Sequence, residues 1–164
     1  MIEQNSQSIG QPREVWTEAN MYMLYHVQDR AQAFSEIRRV LRPGGRFYAS
    51  TIGRAHMREL YELLSKFDAD AVPWGGRPSE PFLLENGLDQ ISSWFSRVTL
   101  RRYEDGLVIT EAGPLVAYIL STTAKSILAG DRLAEFTKFV EQELVLHGAI
   151  HVTKDSGIFE AFKD

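Results

Sequence analysis

Phe34, Ile37 and Leu41 recur at helical spacing behind Asp29, a residue suited to capping a helix, with Gln32 in the third helical position as in a variant capping box. The pattern predicts a helix from Asp29 to about Leu41. Arg38, Arg39 and Arg42 crowd its C-terminal end, where cations complement the helix dipole, and Pro43-Gly44-Gly45 supplies the stop. Arg46 to Ile52 is rich in Phe, Tyr and Thr and predicts a strand buried on both faces. Upstream, Arg13 to Asn20 contains Val15, Trp16 and Thr17, which predict a short strand weakened by Glu14 and Glu18.

Further along, Leu60, Leu63, Leu64 and Phe67 share one side of a helix predicted over 55–67, and a loop rich in Pro and Gly follows. Leu84, Leu88, Ile91 and Phe95 predict another helix over 82–95. Val98 and Leu100 mark a strand over 97–103, and Leu107 to Thr110 reads as a short extended piece beyond an Asp105-Gly106 turn. Pro114 suits the first turn of a helix to about Thr122, and Asp131 opens a longer one through His147, stopped by Gly148. The last segment reads as a hairpin, 149–154 and 157–163, turning at Asp155-Ser156-Gly157. Phe34, Ile37, Leu41, Phe136, Val140 and Leu144 form the expected core.

Composition narrows the function classes. Residues 1–12 are polar and expected to be a flexible tail, leaving 13–164 as a single α/β domain with no repeat or linker to divide it. A net charge of −4 gives no electrostatic pull toward nucleic acid or an anionic membrane, and no run of apolar residues is long enough to span a bilayer. With no Cys there are no disulfides or thiolate metal sites, and a soluble cytoplasmic protein is the expectation. His56, His147 and His151 are too scattered to suggest a metal site.

Between Met21 and Ile52 the chain reads MYMLYHVQDRAQAFSEIRRVLRPGGRFYASTI. This order resembles the class I S-adenosylmethionine-dependent methyltransferases, in the subgroup where an LYHV-D loop follows the fourth strand and RVLRPGG leads into the fifth. The resemblance implies an α/β fold. It would be a partial class I methyltransferase (Rossmann-like) sheet with helices on both faces and a C-terminal antiparallel hairpin, the last strand lying between the fifth and sixth.

The same resemblance implies S-adenosylmethionine as cofactor and places the loop after the fourth strand beside it. By position that loop is Asn20, Met21, Tyr22, Met23, Leu24, Tyr25 and His26. His26 has the chemistry of a general base, against which stands a packing or capping role at the turn before Asp29; Tyr22 and Tyr25 can stack on a ring or join the core. The family's glycine-rich cofactor loop and ribose-binding acid have no counterpart before Met21, and Gly44-Gly45 follows a helix and opens a strand, the reverse of a nucleotide-binding turn.

Two functions therefore stay open: methyl transfer, and a non-catalytic remnant serving as an assembly or binding module with no cofactor of its own. A separate chain supplying the N-terminal half fits the first. A homodimer through the sheet edge near 13–24 fits the second.

Overall fold

The computed structural model describes residues 16–21, 24–69, 82–122 and 128–164. Four strands, β1 (Trp16–Met21), β2 (Leu41–Ile52), β3 (Ser96–Ile109) and β4 (Ile150–Phe162), form one sheet in the order β1-β2-β4-β3. β1 and β2 are parallel, while β4 runs antiparallel to both of its neighbours. Among the described residues five helices connect them: α1 (Arg30–Val40), α2 (Arg58–Phe67), α3 (Gly87–Ser92), α4 (Ala112–Leu120) and α5 (Asp131–His147).

α1 forms where the pattern predicts it. The Asp29 side chain accepts the Gln32 N–H at 2.9 Å, and Phe34 is buried edge-on against Phe47, ring centroids 6.1 Å apart. Its C-terminal carbonyls, however, are met by the last lysine of the chain: Lys163 Nζ donates to the carbonyls of Arg38 (2.6 Å) and Leu41 (2.5 Å). Arg39 instead pairs with Glu36, and Arg38 donates to the Trp94 carbonyl. β2 begins at Leu41 rather than Arg46, with an irregularity in its pairing to β1 that spans the Pro43-Gly44-Gly45 turn. Gly44 adopts a φ of +75°, and its N–H bonds to the Lys163 carbonyl at 2.7 Å.

Three sequence expectations are corrected. The helix expected over 82–95 shrinks to Gly87–Ser92, because 82–84 instead bond to the end of β2: Thr51 donates its hydroxyl to the Phe82 carbonyl, and the Leu84 N–H bonds to the Ile52 carbonyl. Of the apolar positions named for that helix, Leu84, Ile91 and Phe95 are buried and Leu88 is 44% exposed. The Asp105-Gly106 turn does not occur, since β3 pairs with β4 continuously from Thr99 to Ile109.

Nor is there a hairpin within 149–163. The chain's antiparallel ending is formed by β4 inserted between β2 and β3, and 150–162 is one strand. Gly157 serves packing rather than turning: a Cβ there would lie 2.7 Å from the Arg101 carbonyl oxygen and 2.9 Å from Leu84 Cδ2. Flanking strands on both sides give 155–157 backbone partners that a turn would forfeit.

β4 serves two cores. Its Phe159 and Ala161, with Phe47 and Ala49 of β2, bury against Phe34, Phe82, Ile91 and Phe95. Val152 lies on the opposite face of the same unbroken strand and packs with Leu60, Leu64, Leu115, Ile119, Phe136 and Val140 from α2, α4 and α5. Helices thus cover both faces, at different ends of the long β3–β4 pair. Of the expected core, Phe34, Leu41, Phe136 and Val140 are fully buried and Ile37 and Leu144 partly so.

Candidate functional site

In an open α/β sheet, ligands lie beyond the carboxyl ends of parallel strands. Here that edge is formed by β1, which ends at Met21 opposite Ala49, and β2, which continues to Ile52. β1 leads into a 3₁₀ turn over Leu24–His26, closed by a bond from the Val27 N–H to the Leu24 carbonyl (3.2 Å), and then into Asp29 and α1.

The structure gathers the expected loop at this position. Asn20 and Met21 occupy the last two places of β1, while Tyr22 and Met23 lie outside the described residues. Leu24 is fully buried in the first core, beside Phe34 and Ala19. Tyr25 is half-buried, and His26 is exposed with its ring 4.3 Å from that of Tyr25. Any packing role of His26 is therefore confined to the turn surface.

A second cluster, not anticipated from the sequence, forms where β2 runs into α2. Gly53 donates its N–H to the Asp155 carbonyl (3.0 Å) and Met57 to that of Thr153 (2.7 Å), which lays the turn against β4. Glu59 accepts the Thr153 hydroxyl at 2.6 Å and its N–H at 2.8 Å. Partial burial pushes the Glu59 carboxyl up, but the bonds from Thr153, from the helix's own amide and from Arg58 outweigh it and hold the pKa at about 2.

His56, in the same β2–α2 turn, has a buried Nδ1 with no hydrogen-bond partner. Burial lowers its pKa; Asp155 opposes that shift and Lys154 adds to it. Glu85 accepts the Arg54 N–H (3.1 Å) and the Arg102 guanidinium (3.3 Å). No local motif signals this cluster, because Glu59 and His56 meet partners from the far end of the chain.

A nucleoside cofactor needs a strand-to-helix turn whose glycines admit its backbone contacts, and an acid for the ribose hydroxyls. The β1–α1 turn, 24–29, contains no glycine. Gly53, in the β2–α2 turn, makes a close approach that is already taken: a Cβ there would fall 1.8 Å from Asp155 Oδ2. The described residues therefore offer one wall of a cleft and not a complete cradle for S-adenosylmethionine. Among them, no group of His, Asp and Glu side chains is arranged to hold a metal, and no helix is long and apolar enough to cross a membrane.

These features define a mixed α/β sheet with a parallel β1–α1–β2 unit and an antiparallel strand inserted next to it. Residues 19–49, which comprise most of that unit, match the family model of the methyltransferase domain, and the resemblance to the S-adenosylmethionine-dependent methyltransferases stands on them. A search of curated proteins finds no match.

Solved structures similar to the chain include YcgJ from Bacillus subtilis, with 14% identity and a TM-score of 0.48, of which this chain covers 65%. An S-adenosylmethionine-dependent methyltransferase from Thermotoga maritima has 14% identity and a TM-score of 0.44, with 57% of it covered. Phosphoethanolamine N-methyltransferase 2 of Haemonchus contortus, in complex with S-adenosylhomocysteine, has 15% identity, a TM-score of 0.41 and 33% covered. The alignments take in 93%, 92% and 90% of this chain, so it spans less than two thirds of each of those structures.

Proposed function

We propose that this chain forms the second half of a site for S-adenosylmethionine-dependent methyl transfer, and that the glycine loop and ribose acid come from a segment or separate chain adding strands to the edge of β1. The observation that carries this reading is the position of β1. It is parallel to β2, is the edge strand among the described residues, and leads into the LYH turn, which packs against β2, so one flank of a carboxyl-end crevice is built and no described strand forms the other. By the family resemblance the β1–α1 loop belongs to the cofactor side of that crevice; Tyr25 is half-buried there, and the exposed imidazole of His26 is the candidate base toward an acceptor hydroxyl or amine. The lack of Cys in the sequence suits a cytoplasmic setting.

The chain alone is then inactive and binds the cofactor poorly. Titration calorimetry with S-adenosylmethionine and S-adenosylhomocysteine is expected to give no saturable heat; a dissociation constant in the low micromolar range, about −8 kcal/mol, overturns the reading.

The same edge, unpaired among the described residues, supports a second reading, a non-catalytic dimeric module paired through 13–24. Because the chain has no Cys, Glu18→Cys introduces a single thiol at an exposed position of β1. Thiol-specific crosslinkers of graded length yield dimers if copies pair there, and monomer at every length rules this reading out.

A further inference from the structure

Among the described residues the opposite edge of the sheet is β3, a strand of 14 residues whose side chains from 101 to 108 are all exposed, including Tyr103 (58%), Leu107 (41%) and Val108 (64%). Long exposed edges recruit foreign strands unless charge keeps them off. β3 is charged at its centre, but in a particular order: Arg101-Arg102-Tyr103-Glu104-Asp105. Reversed, the basic pair meets the acidic pair. We propose that β3 is a self-association edge, pairing antiparallel with β3 of a second copy about a two-fold axis through Tyr103 to join two four-stranded sheets into one.

The register follows from side-chain direction. Leu100 packs toward the first core and Ile109 toward the second, so even and odd positions of β3 face opposite sides of the sheet. A continuous sheet joins like faces, which requires the axis to pass through a residue rather than between two. With Tyr103 on the axis, Arg102 faces Glu104 of the second copy, Arg101 faces Asp105, Leu100 faces Gly106, Thr99 faces Leu107 and Val98 faces Val108. The four charges at the centre of each strand, Arg101, Arg102, Glu104 and Asp105, are then opposed by the opposite sign.

Neighbouring registers lose this. An axis at Arg102 sets Arg102 against itself and Leu100 against Glu104, and an axis at Glu104 sets Glu104 against itself and Arg102 against Gly106. Within the chain, Arg102 reaches Glu85 at 3.3 Å and Lys154 reaches Asp105 at 3.6 Å, both exposed pairs with room for a second partner. The charge order repels other strands while matching its own inverted copy, so the device that protects an edge also selects the occupant.

Light scattering after size exclusion tests this directly. The wild-type chain is expected at twice the 18.6 kDa of one copy, with the dimer weakening as salt rises. An Arg101→Glu/Arg102→Glu variant and a Glu104→Arg/Asp105→Arg variant, each with wild-type circular dichroism, should run as monomers alone and recover the dimer mass when mixed. Register is read separately: Tyr103→Cys lies across from itself and should oxidise to a covalent dimer, whereas Thr99→Cys, on the same face but off the axis, should not. A monomeric wild type, dimers that persist in both charge variants, or a Thr99→Cys variant that crosslinks as readily as Tyr103→Cys overturns the proposal. None of these outcomes depends on cofactor binding, which concerns the other edge.

Discussion

The Glu59 carboxylate takes both the hydroxyl and the backbone N–H of Thr153, fastening the first turn of α2 to β4 at the junction of sheet and second core. Its depressed pKa makes this a pH-dependent fastening. The folded value, about 2, lies below the ordinary 4.5, so the stabilisation is complete above about 4.5 and is lost as pH falls toward 2. Glu59→Gln should cost about 1 kcal/mol at neutral pH, after solvent screening is allowed for, and should flatten the acid limb of a urea-midpoint profile.

His56 adds an earlier acid-sensitive step. Its pKa is lowered by burial from 6.5, so the unfolded chain takes up a proton before the folded one does, and stability falls as pH drops below about 6.5. A His56→Phe variant should show a flatter stability profile than wild type as pH falls below about 6.5, measured by chemical denaturation.

Gly157→Ala tests the close packing of β4 against β3 and the 82–84 segment. Because the nearest obstacle is the backbone oxygen of Arg101, which cannot swing aside, the substitution should destabilise by about 1–3 kcal/mol. Gly113, with open space around its Cβ position, is the control: Gly113→Ala in α4 should be neutral or stabilising.

Lys163→Met removes the ammonium that meets the α1 carbonyls while keeping most of the apolar stem. The expected loss is about 1 kcal/mol, with faster amide exchange in the last turn of α1.

His26→Ala should leave the unfolding free energy within about 0.5 kcal/mol of wild type, since the side chain is exposed and touches only the Tyr25 ring among the described aromatic contacts. A larger loss in urea denaturation would return His26 to a structural role in the turn.

Features with local causes were legible in the sequence. Asp29 and Gln32 set the start of α1, Gly148 the end of α5, and the apolar repeats the buried faces of α1, α2 and α5. The LYHV and RVLRPGG runs, in their order, carried the family resemblance that the match over 19–49 repeats. Tertiary structure decided what depends on a neighbour. Asp105-Gly106 and Asp155-Ser156-Gly157 have turn chemistry, yet β3 and β4 lie alongside each other and satisfy one another's backbone groups, so both segments stay extended. Phe82 to Asn86 has helical spacing, yet bonds from the end of β2 draw it out of the helix. The β2–α2 cluster around His56 and Glu59 could not be read from sequence for the same reason: its partners, Thr153 to Asp155, come from β4, and only the sheet order brings them together.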